Sequence, residues 1–162
     1  MDRSGNILVT GYFGGTIDFG GGPLNSAGNS DIFVAKFTAD GSHVWSKRFG
    51  DTSEDRGSSV ATDASNNVLF TGFFNGTVDF GGGPLTSAGL DDIYIAKFAA
   101  DGSHLWSKRF GDTLPVDFGL SVAVDASGNV LVTGVFGGTV DFGGGPLTSA
   151  GSGDIFVLQL NQ

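Results

Sequence analysis

Aspartates are the residues of this chain whose type and spacing could support chemistry, because they recur at a fixed distance. Asp18, Asp79 and Asp141 each begin the phrase Asp-Phe-Gly-Gly-Gly-Pro-Leu, at spacings of 61 and 62 residues. Repeated carboxylates suit calcium, a hard ion that takes about six to eight oxygen ligands. The spacing within the phrase matches neither an EF-hand nor a calcium-binding nonapeptide. We therefore interpret these aspartates as caps of turns, predict no metal site, and expect no calcium dependence of melting.

A second set of aspartates lies in the linkers that follow Phe-Gly. These are Asp51 with Asp55, and Asp112 with Asp117, and we interpret them as structural caps as well.

The triplet Asp-Phe-Gly also occurs in the magnesium site of protein kinases, but a kinase needs a glycine-rich ATP loop, a strand lysine and a catalytic loop too. The sequence has none of these three, so it does not predict a kinase.

Histidine and tryptophan recur together, with His43 and His104 two residues before Trp45 and Trp106. The chain has only 2 histidines, so a histidine metal site would lack ligands, and we interpret both as strand surface or packing. A tryptophan can stack on a sugar ring. We favour the alternative that each indole is a buried anchor between neighbouring repeats.

Two basic pairs follow the tryptophans: Lys47 with Arg48, and Lys108 with Arg109. If they lie on the outer strand of each repeat, their charges discourage edge-to-edge pairing. We favour that interpretation over anion binding.

No catalytic residues are predicted. Serines are abundant near turns, but none stands in an evident arrangement with histidine and aspartate. The only modest departures from the period among the acids are Glu54 and Asp91, and we interpret both as loop variation. Asn75 begins an Asn-Gly-Thr glycosylation triplet, although conformation explains this asparagine better. We expect no enzyme activity and no cofactor.

The composition narrows the class of protein. Of 17 acidic residues only Glu54 is a glutamate, and aspartate favours turns where glutamate favours helices. The net charge of -9 argues against a nucleic-acid partner, which needs a basic surface. The chain has no cysteine and no apolar run of about 18 residues, so we predict neither disulfides nor membrane insertion.

Four strand-like runs occur in each period, at 58–63, 67–74, 92–98 and 103–110 in the complete copy. β-Branched and aromatic residues dominate them, and turn residues bound them. The third and fourth runs are joined by Asp101-Gly102, a hairpin signal, so we predict an antiparallel meander. The long link 75–91 is interpreted as an elaborated loop or a small extra hairpin.

Two sets of positions exchange only glycine and asparagine, as a positive-φ position permits. They are Gly5, Asn66 and Gly128, and Gly14, Asn75 and Gly137.

The distribution of apolar residues selects the architecture. Ile93, Tyr94, Ile95 and Ala96 are consecutive, so both faces of this strand must be covered. The first run is made of small residues, which suit the place where sheets converge on an axis. Wedge-shaped sheets arranged radially form a β-propeller, and a linear β-solenoid fits the long period poorly.

Three phrases carry a family resemblance: Asp-Ala-Ser-Gly-Asn-Val-Leu-Val-Thr-Gly (125–134), Asp-Ile-Phe-Val-Ala-Lys-Phe (31–37) and Ala-Asp-Gly-Ser-His-Leu-Trp (100–106). Their order resembles the bacterial β-propeller repeat called SBBP and, more distantly, NHL-type repeats. The resemblance implies a large secreted or surface-associated bacterial protein with a binding or scaffolding role. We therefore expect an extracellular or cell-surface location.

We predict an all-β β-propeller segment of four-stranded antiparallel blades, with about 2.6 repeats of 61–62 residues. Residues 1–57 are expected to form a partial first blade, 58–118 a complete middle blade, and 119–162 a partial last blade. The sequence starts in mid-repeat, since Asp2 aligns with Asp63 and Asp125. We favour a fragment of a larger ring over identical copies that close a ring.

The most favoured function is a non-catalytic scaffold or protein-interaction module. Its partners would be further blades of a longer chain or identical copies, with a protein or glycan as a possible ligand. The alternative is a carbohydrate-binding propeller with repeated pockets between blades.

Overall fold

A computed structural model describes residues 1–114 and 116–161, and these contain fourteen strands and no helix. Within these residues there is accordingly no helix long and apolar enough to cross a membrane. The strands are β1 (Ile7–Phe13), β2 (Thr16–Asp18), β3 (Pro23–Asn25), β4 (Asp31–Phe37), β5 (His43–Phe49), β6 (Arg56–Thr62), β7 (Val68–Asp79), β8 (Pro84–Phe98), β9 (His104–Phe110), β10 (Phe118–Val124), β11 (Val130–Phe136), β12 (Thr139–Asp141), β13 (Pro146–Thr148) and β14 (Asp154–Leu160).

The strands form three antiparallel main sheets. The first sheet has the order β1-β4-β5, the middle sheet β6-β7-β8-β9, and the third sheet β10-β11-β14. The link between the second and third runs is a hairpin in every repeat. It is formed by β2 with β3 and by β12 with β13, and in the middle sheet by the extensions of β7 and β8. Of the two interpretations of residues 75–91, the extra hairpin is therefore the one observed.

The turn predictions are right for one glycine-asparagine set and wrong for the other. Gly5, Asn66 and Gly128 have φ of 82°, 63° and 90°, as predicted. In the other set the positive φ falls one residue later, at Gly15, Gly76 and Gly138. Asn75, a member of that second set, still belongs to β7 and pairs with Asp91 of β8, so extended backbone, not a left-handed turn, occupies that position.

Small residues lie where the sheets converge. β6, the inner strand of the middle sheet, contacts β1 of the first sheet and β10 of the third. A Cβ at Gly57 would lie 2.8 Å from the carbonyl oxygen of Gly11, and Ser59 Oγ accepts a hydrogen bond of 3.2 Å from Val122 N. The inner strands thus pack almost backbone to backbone, which a bulky side chain would prevent.

The middle sheet is buried on both faces, because an apolar cluster lies on each side of it. Tyr94, with Phe70 and Phe98, packs toward the first sheet. Ile93 and Ile95 pack toward the third. Alternate residues of one strand therefore serve two interfaces, which explains the continuous apolar run of β8.

Tyr94→Phe is expected to leave the stability unchanged or to raise it by up to about 1–2 kcal/mol. The Tyr94 hydroxyl is fully buried and makes no hydrogen bond within residues 1–114 and 116–161. Phenylalanine occupies the corresponding positions Phe33 and Phe156 of the other two sheets. Urea unfolding followed by circular dichroism would measure the change. A loss above about 1 kcal/mol would show that the hydroxyl has a partner after all.

Candidate functional site

Two of the linker aspartates are buried polar groups that connect consecutive sheets. Asp55 accepts hydrogen bonds from Asp51 N at 3.0 Å and from Asn75 N at 3.1 Å. One repeat later, Asp117 accepts from Asp112 N at 3.0 Å and from Gly137 N at 3.1 Å. Both side chains are completely buried. Each carboxylate therefore ties a linker to the sheet that follows it.

The neighbouring aspartates of the linkers, Asp51 and Asp112, are partly buried and connect the same elements. Asp51 accepts a 2.8 Å bond from Thr77 N, and Asp112 accepts a 2.6 Å bond from Thr139 N. These backbone groups lie in the hairpin of the next sheet. The structure thus uses the linker aspartates as caps, in agreement with the structural interpretation.

Stability is expected to fall as the pH rises from 5 to 8. Burial raises the pKa of Asp55 to about 7 and that of Asp117 to about 6, against the hydrogen bonds of their N–H donors. Both carboxyls are ionised in the unfolded chain above about pH 4, so the folded state holds the extra protons in this window. Their contribution is present below about pH 4 and is lost as the pH passes the folded pKa values.

The two shifts together correspond to a decrease on the order of 3–4 kcal/mol between pH 5 and pH 8. Urea unfolding at several pH values would measure it. Asp55→Asn removes the group with the larger shift and should reduce the total decrease by about two thirds. A stability that stays flat or increases across this range would contradict the prediction.

The glycine-rich hairpins are capped by the recurring aspartates. Asp79 Oδ1 accepts from Gly81 N at 2.7 Å and from Gly83 N at 3.1 Å, and Asp18 and Asp141 repeat this pattern. Within the described ranges, no group of three or more histidine, aspartate or glutamate side chains is placed to hold a metal ion.

The arginines of the outer strands pair with buried carboxylates. Arg48 of β5 pairs with Asp31 of β4, and Arg109 of β9 pairs with Asp92 of β8, both aspartates being fully buried. From the sequence these arginines are predicted only to protect the strand edge, and that prediction misses the ion pairs. The signal was present, since both pairs have the same separation of 17 residues.

The histidines fit against the glycine hairpins of their own sheets. A Cβ added at Gly21 or Gly82 would collide with the ring of His43 or His104, respectively. Their Nε2 atoms lie 3.0 Å from Ser46 Oγ and 3.2 Å from Ser107 Oγ. Packing is therefore their observed role.

The tryptophans lie between sheets but are only partly buried. Trp45 Nε1 donates a 3.2 Å hydrogen bond to the carbonyl of Ala100 in the turn between β8 and β9, and its ring packs against the apolar cluster of the middle sheet. Trp106 packs in the same way toward the third sheet. Both tryptophans are anchors between repeats, though they are less buried than the sequence predicts.

A groove runs between β9 and the free edge of β14. It has a volume of about 950 Å³ and is lined by Trp106, Lys108 and Phe110 of β9, by the β12–β13 hairpin, and by residues of β14. The corresponding space between β5 and β8 is filled by β9. The groove therefore lies where the middle sheet has its fourth strand.

The two outward faces of the described structure expose apolar side chains. On β14, Ile155 and Val157 are 81% and 73% exposed, whereas the corresponding Ile93 and Ile95 of β8 are fully buried. On β1, Val9 is 38% exposed, whereas the corresponding Phe70 is fully buried. We call these the third-sheet end face and the first-sheet end face.

The two acids that depart from the period lie near one another. Burial raises the pKa of Asp91, and the charge of Glu54 adds to the effect. Glu54 forms an ion pair with Arg56, and the guanidinium of Arg56 lies 4.3 Å from the ring centre of Tyr12. Glu54 is therefore paired with the first residue of β6.

The outer strand, linker and inner strands of consecutive sheets are the part of the chain that a known family describes. Residues 105–135 match the β-propeller repeat family SBBP. This stretch is similar to an SBBP β-propeller repeat. The SBBP match begins in β9, crosses the linker with Asp112 and Asp117, and ends in β11. The all-β, antiparallel architecture and the resemblance stated from the sequence are thereby confirmed, and the chain is a β-propeller segment.

A curated relative is the uncharacterized WD repeat-containing protein L264 of Acanthamoeba polyphaga mimivirus. It is 29% identical to this chain over 117 residues, which is 61% of the chain and 8% of the relative. The chain thus spans a small part of that protein's length. That relative is a viral WD repeat-containing protein.

Proposed function

We propose that this SBBP segment is a non-catalytic scaffold and protein-interaction module whose end faces receive further propeller sheets. The observation that carries the proposal is the exposure of Ile155 and Val157, which contrasts with the complete burial of Ile93 and Ile95. Side chains at the same positions of consecutive repeats serve the same interface. An apolar sheet face of this kind is typical of a surface that another element covers.

The first-sheet end face supports the same function. It carries Val9 of β1, which pairs with Ala35 of β4, and it also carries Phe33 and Phe37, two residues before and after Ala35 on the same face of the sheet. The corresponding face of the middle sheet, with Phe70 and Tyr94, is covered by the first sheet. The two end faces are therefore the two halves of the interface that recurs inside the chain, and the third-sheet end face of one copy fits the first-sheet end face of another.

Size-exclusion chromatography with light scattering tests the proposal. We expect the mass to increase with concentration, because copies can associate head to tail through the unlike end faces. Val157→Lys should shift the chain to a monomer. Leu105→Lys is the matched control, since Leu105 is 48% exposed on the outer strand β9, away from both end faces. A chain that stays a well-folded monomer at high concentration would contradict the proposal.

Two observations support the non-catalytic part of the proposal. Glu54, one of the two off-period acids, is held in an ion pair with Arg56. The linker carboxylates Asp55 and Asp117 accept hydrogen bonds from backbone N–H groups of their own repeats. The carbohydrate-binding alternative has less support, because Trp45 packs between sheets and donates to the carbonyl of Ala100.

We also propose an extracellular or cell-surface location, which rests on the resemblance to bacterial repeat proteins alone. Cell fractionation with an antibody against this chain would test it, and recovery in the cytoplasmic fraction would contradict it.

A further inference from the structure

The outer edge of β14 is an unpaired strand edge within the described part of the chain. In the middle sheet, β8 pairs with β7 on one side and with β9 on the other. In the third sheet, β14 pairs with β11 and is the last strand of the order. The backbone groups that β8 offers to β9 therefore have counterparts on β14 that no described strand uses. Such an edge is a template for an added strand.

The charge at this edge also matches an added strand. Asp31 and Asp92 pair with arginines of the outer strands β5 and β9. Asp154 occupies the corresponding position of β14 and has no ion pair among the described residues. It accepts a 2.6 Å bond from Ala150 N, as Asp92 accepts one from Ala88 N. The Asp154 carboxylate is thus held as that of Asp92 is, and the position that Arg109 occupies beside Asp92 is open beside Asp154.

The shape of the glycine hairpin matches it as well. A Cβ at Gly21 or Gly82 would collide with the histidine that begins the outer strand of its sheet. A Cβ at Gly144, the corresponding residue of the third sheet, would meet no atom within 4 Å. The hairpin of the third sheet therefore has the shape that accepts a histidine ring, with the position free.

The wall of the groove formed by β9 also has the shape that accepts an added strand. Gly102 precedes β9 and packs on the first sheet, where its added Cβ would lie 3.1 Å from the Trp45 ring and 3.2 Å from Lys47. Trp106 and Lys108 present the same surface to the groove beside β14. Phe110 is partly exposed there, whereas Phe49 is buried by the middle sheet.

We propose that the groove along β14 binds an extended peptide segment with the pattern Asp-Gly-Ser-His-x-Trp-Ser-Lys-Arg-Phe, which adds to β14 as an antiparallel fourth strand. The segment has the sequence of 101–110 and comes from outside the described chain. The folded β9 of a second copy does not qualify, because β8 already pairs with it. In the register of the middle sheet, the arginine of the segment lies opposite Phe156 and reaches Asp154. The groove shares Val157 with the third-sheet end face, whereas the strand edge, Asp154 and Gly144 lie outside that face, so peptide binding does not require the association proposed above.

Fluorescence anisotropy with a labelled synthetic peptide of residues 101–111 tests the site on the full chain. We expect saturable binding, and about tenfold weaker binding when the peptide arginine is replaced by alanine, since it then lacks its charge-assisted bond. Asp154→Asn in the protein should weaken the original peptide by a similar factor. The two losses should not add, because both remove the same pair.

Gly144→Ala isolates the histidine position. The added methyl group has open space in the free protein, so the fold should be unchanged, but it should weaken the original peptide about tenfold. A peptide with alanine in place of histidine should bind the Gly144→Ala variant and the unchanged protein with equal affinity. Gly151→Ala is the matched control, because a Cβ there also meets nothing within 4 Å, and it should bind as the unchanged protein does.

Val9→Lys places a charge on the first-sheet end face, away from the groove. It should also prevent the end-face association and should still bind the peptide, which separates the two sites. The proposal is overturned if the peptide fails to bind at about 1 mM, or if the arginine and Gly144 substitutions leave its affinity unaltered.

Discussion

Gly72→Ala is expected to lower the free energy of unfolding by about 3 kcal/mol or more. A Cβ at Gly72 of β7 would overlap the carbonyl oxygen of Arg56 in β6 and would lie 3.0 Å from the Tyr94 hydroxyl. A carbonyl oxygen in a strand cannot turn away as a side chain can. The methyl group would therefore separate the inner strand from the sheet, at the bulge between Gly57 and Ser59.

Gly11→Ala is the matched control within the same chain. Gly11 occupies the corresponding position of the first sheet, whose described strands begin with β1. A Cβ there would lie 2.8 Å from Phe33 Cε1, the end of a partly exposed side chain that can move. We expect a loss of about 1 kcal/mol or less. Urea unfolding followed by tryptophan fluorescence would compare the two variants, and equal losses would contradict the steric explanation.

Local patterns in the sequence predict the strands and most turns, because each depends on a few neighbouring residues. The run at 103–110 coincides with β9 (His104–Phe110) to within one residue. The turn at Asn66 has the predicted positive φ. The turn after Asn75 was misplaced by one residue, because glycine at both neighbouring positions in other repeats leaves the choice to the hydrogen bonds of β7 with β8.

Pairs across strands could not be predicted in the same way, because they depend on register. Arg109 reaches Asp92 only because β9 pairs with β8 after an irregularity between Lys97 and Phe98. A register one residue different would turn every side chain to the other face. The buried lysines were missed for a related reason, since nothing near Lys36 or Lys97 in the sequence indicates that an aspartate caps them from an earlier turn.

The free edge of β14 can be interpreted by comparing it with the corresponding edge of β8 in the middle sheet. Corresponding residues of the two repeats have nearly the same surroundings and differ mainly in whether the outer strand is present. Asp154 differs from Asp92 in its arginine partner, and Gly144 differs from Gly82 in its histidine neighbour. Because the surroundings are so similar, the differences identify what the added strand would supply. A single-copy fold offers no such comparison.

Asp63→Ala is expected to lower the free energy of unfolding by about 3–5 kcal/mol, because it leaves a buried ammonium group without its carboxylate. Lys97 is 5% exposed, and its Nζ lies 2.9 Å from Asp63 Oδ2. The same carboxylate also accepts bonds of 2.8 Å from Ser65 N and 2.9 Å from Asn67 N. The substitution therefore removes a turn cap and a buried ion pair together.

Asp125→Ala separates these two contributions. Asp125 makes the same turn bonds, at 2.8 Å from Ser127 N and 2.9 Å from Asn129 N, but Gln159 replaces the lysine and the site is exposed. We expect a loss of only about 1 kcal/mol. Adding Lys97→Gln to Asp63→Ala should recover part of the larger loss, since no unpaired charge then remains buried. If urea unfolding gave equal losses for Asp63→Ala and Asp125→Ala, the buried pair would contribute nothing, and the lysine would have to lie in water in the folded protein.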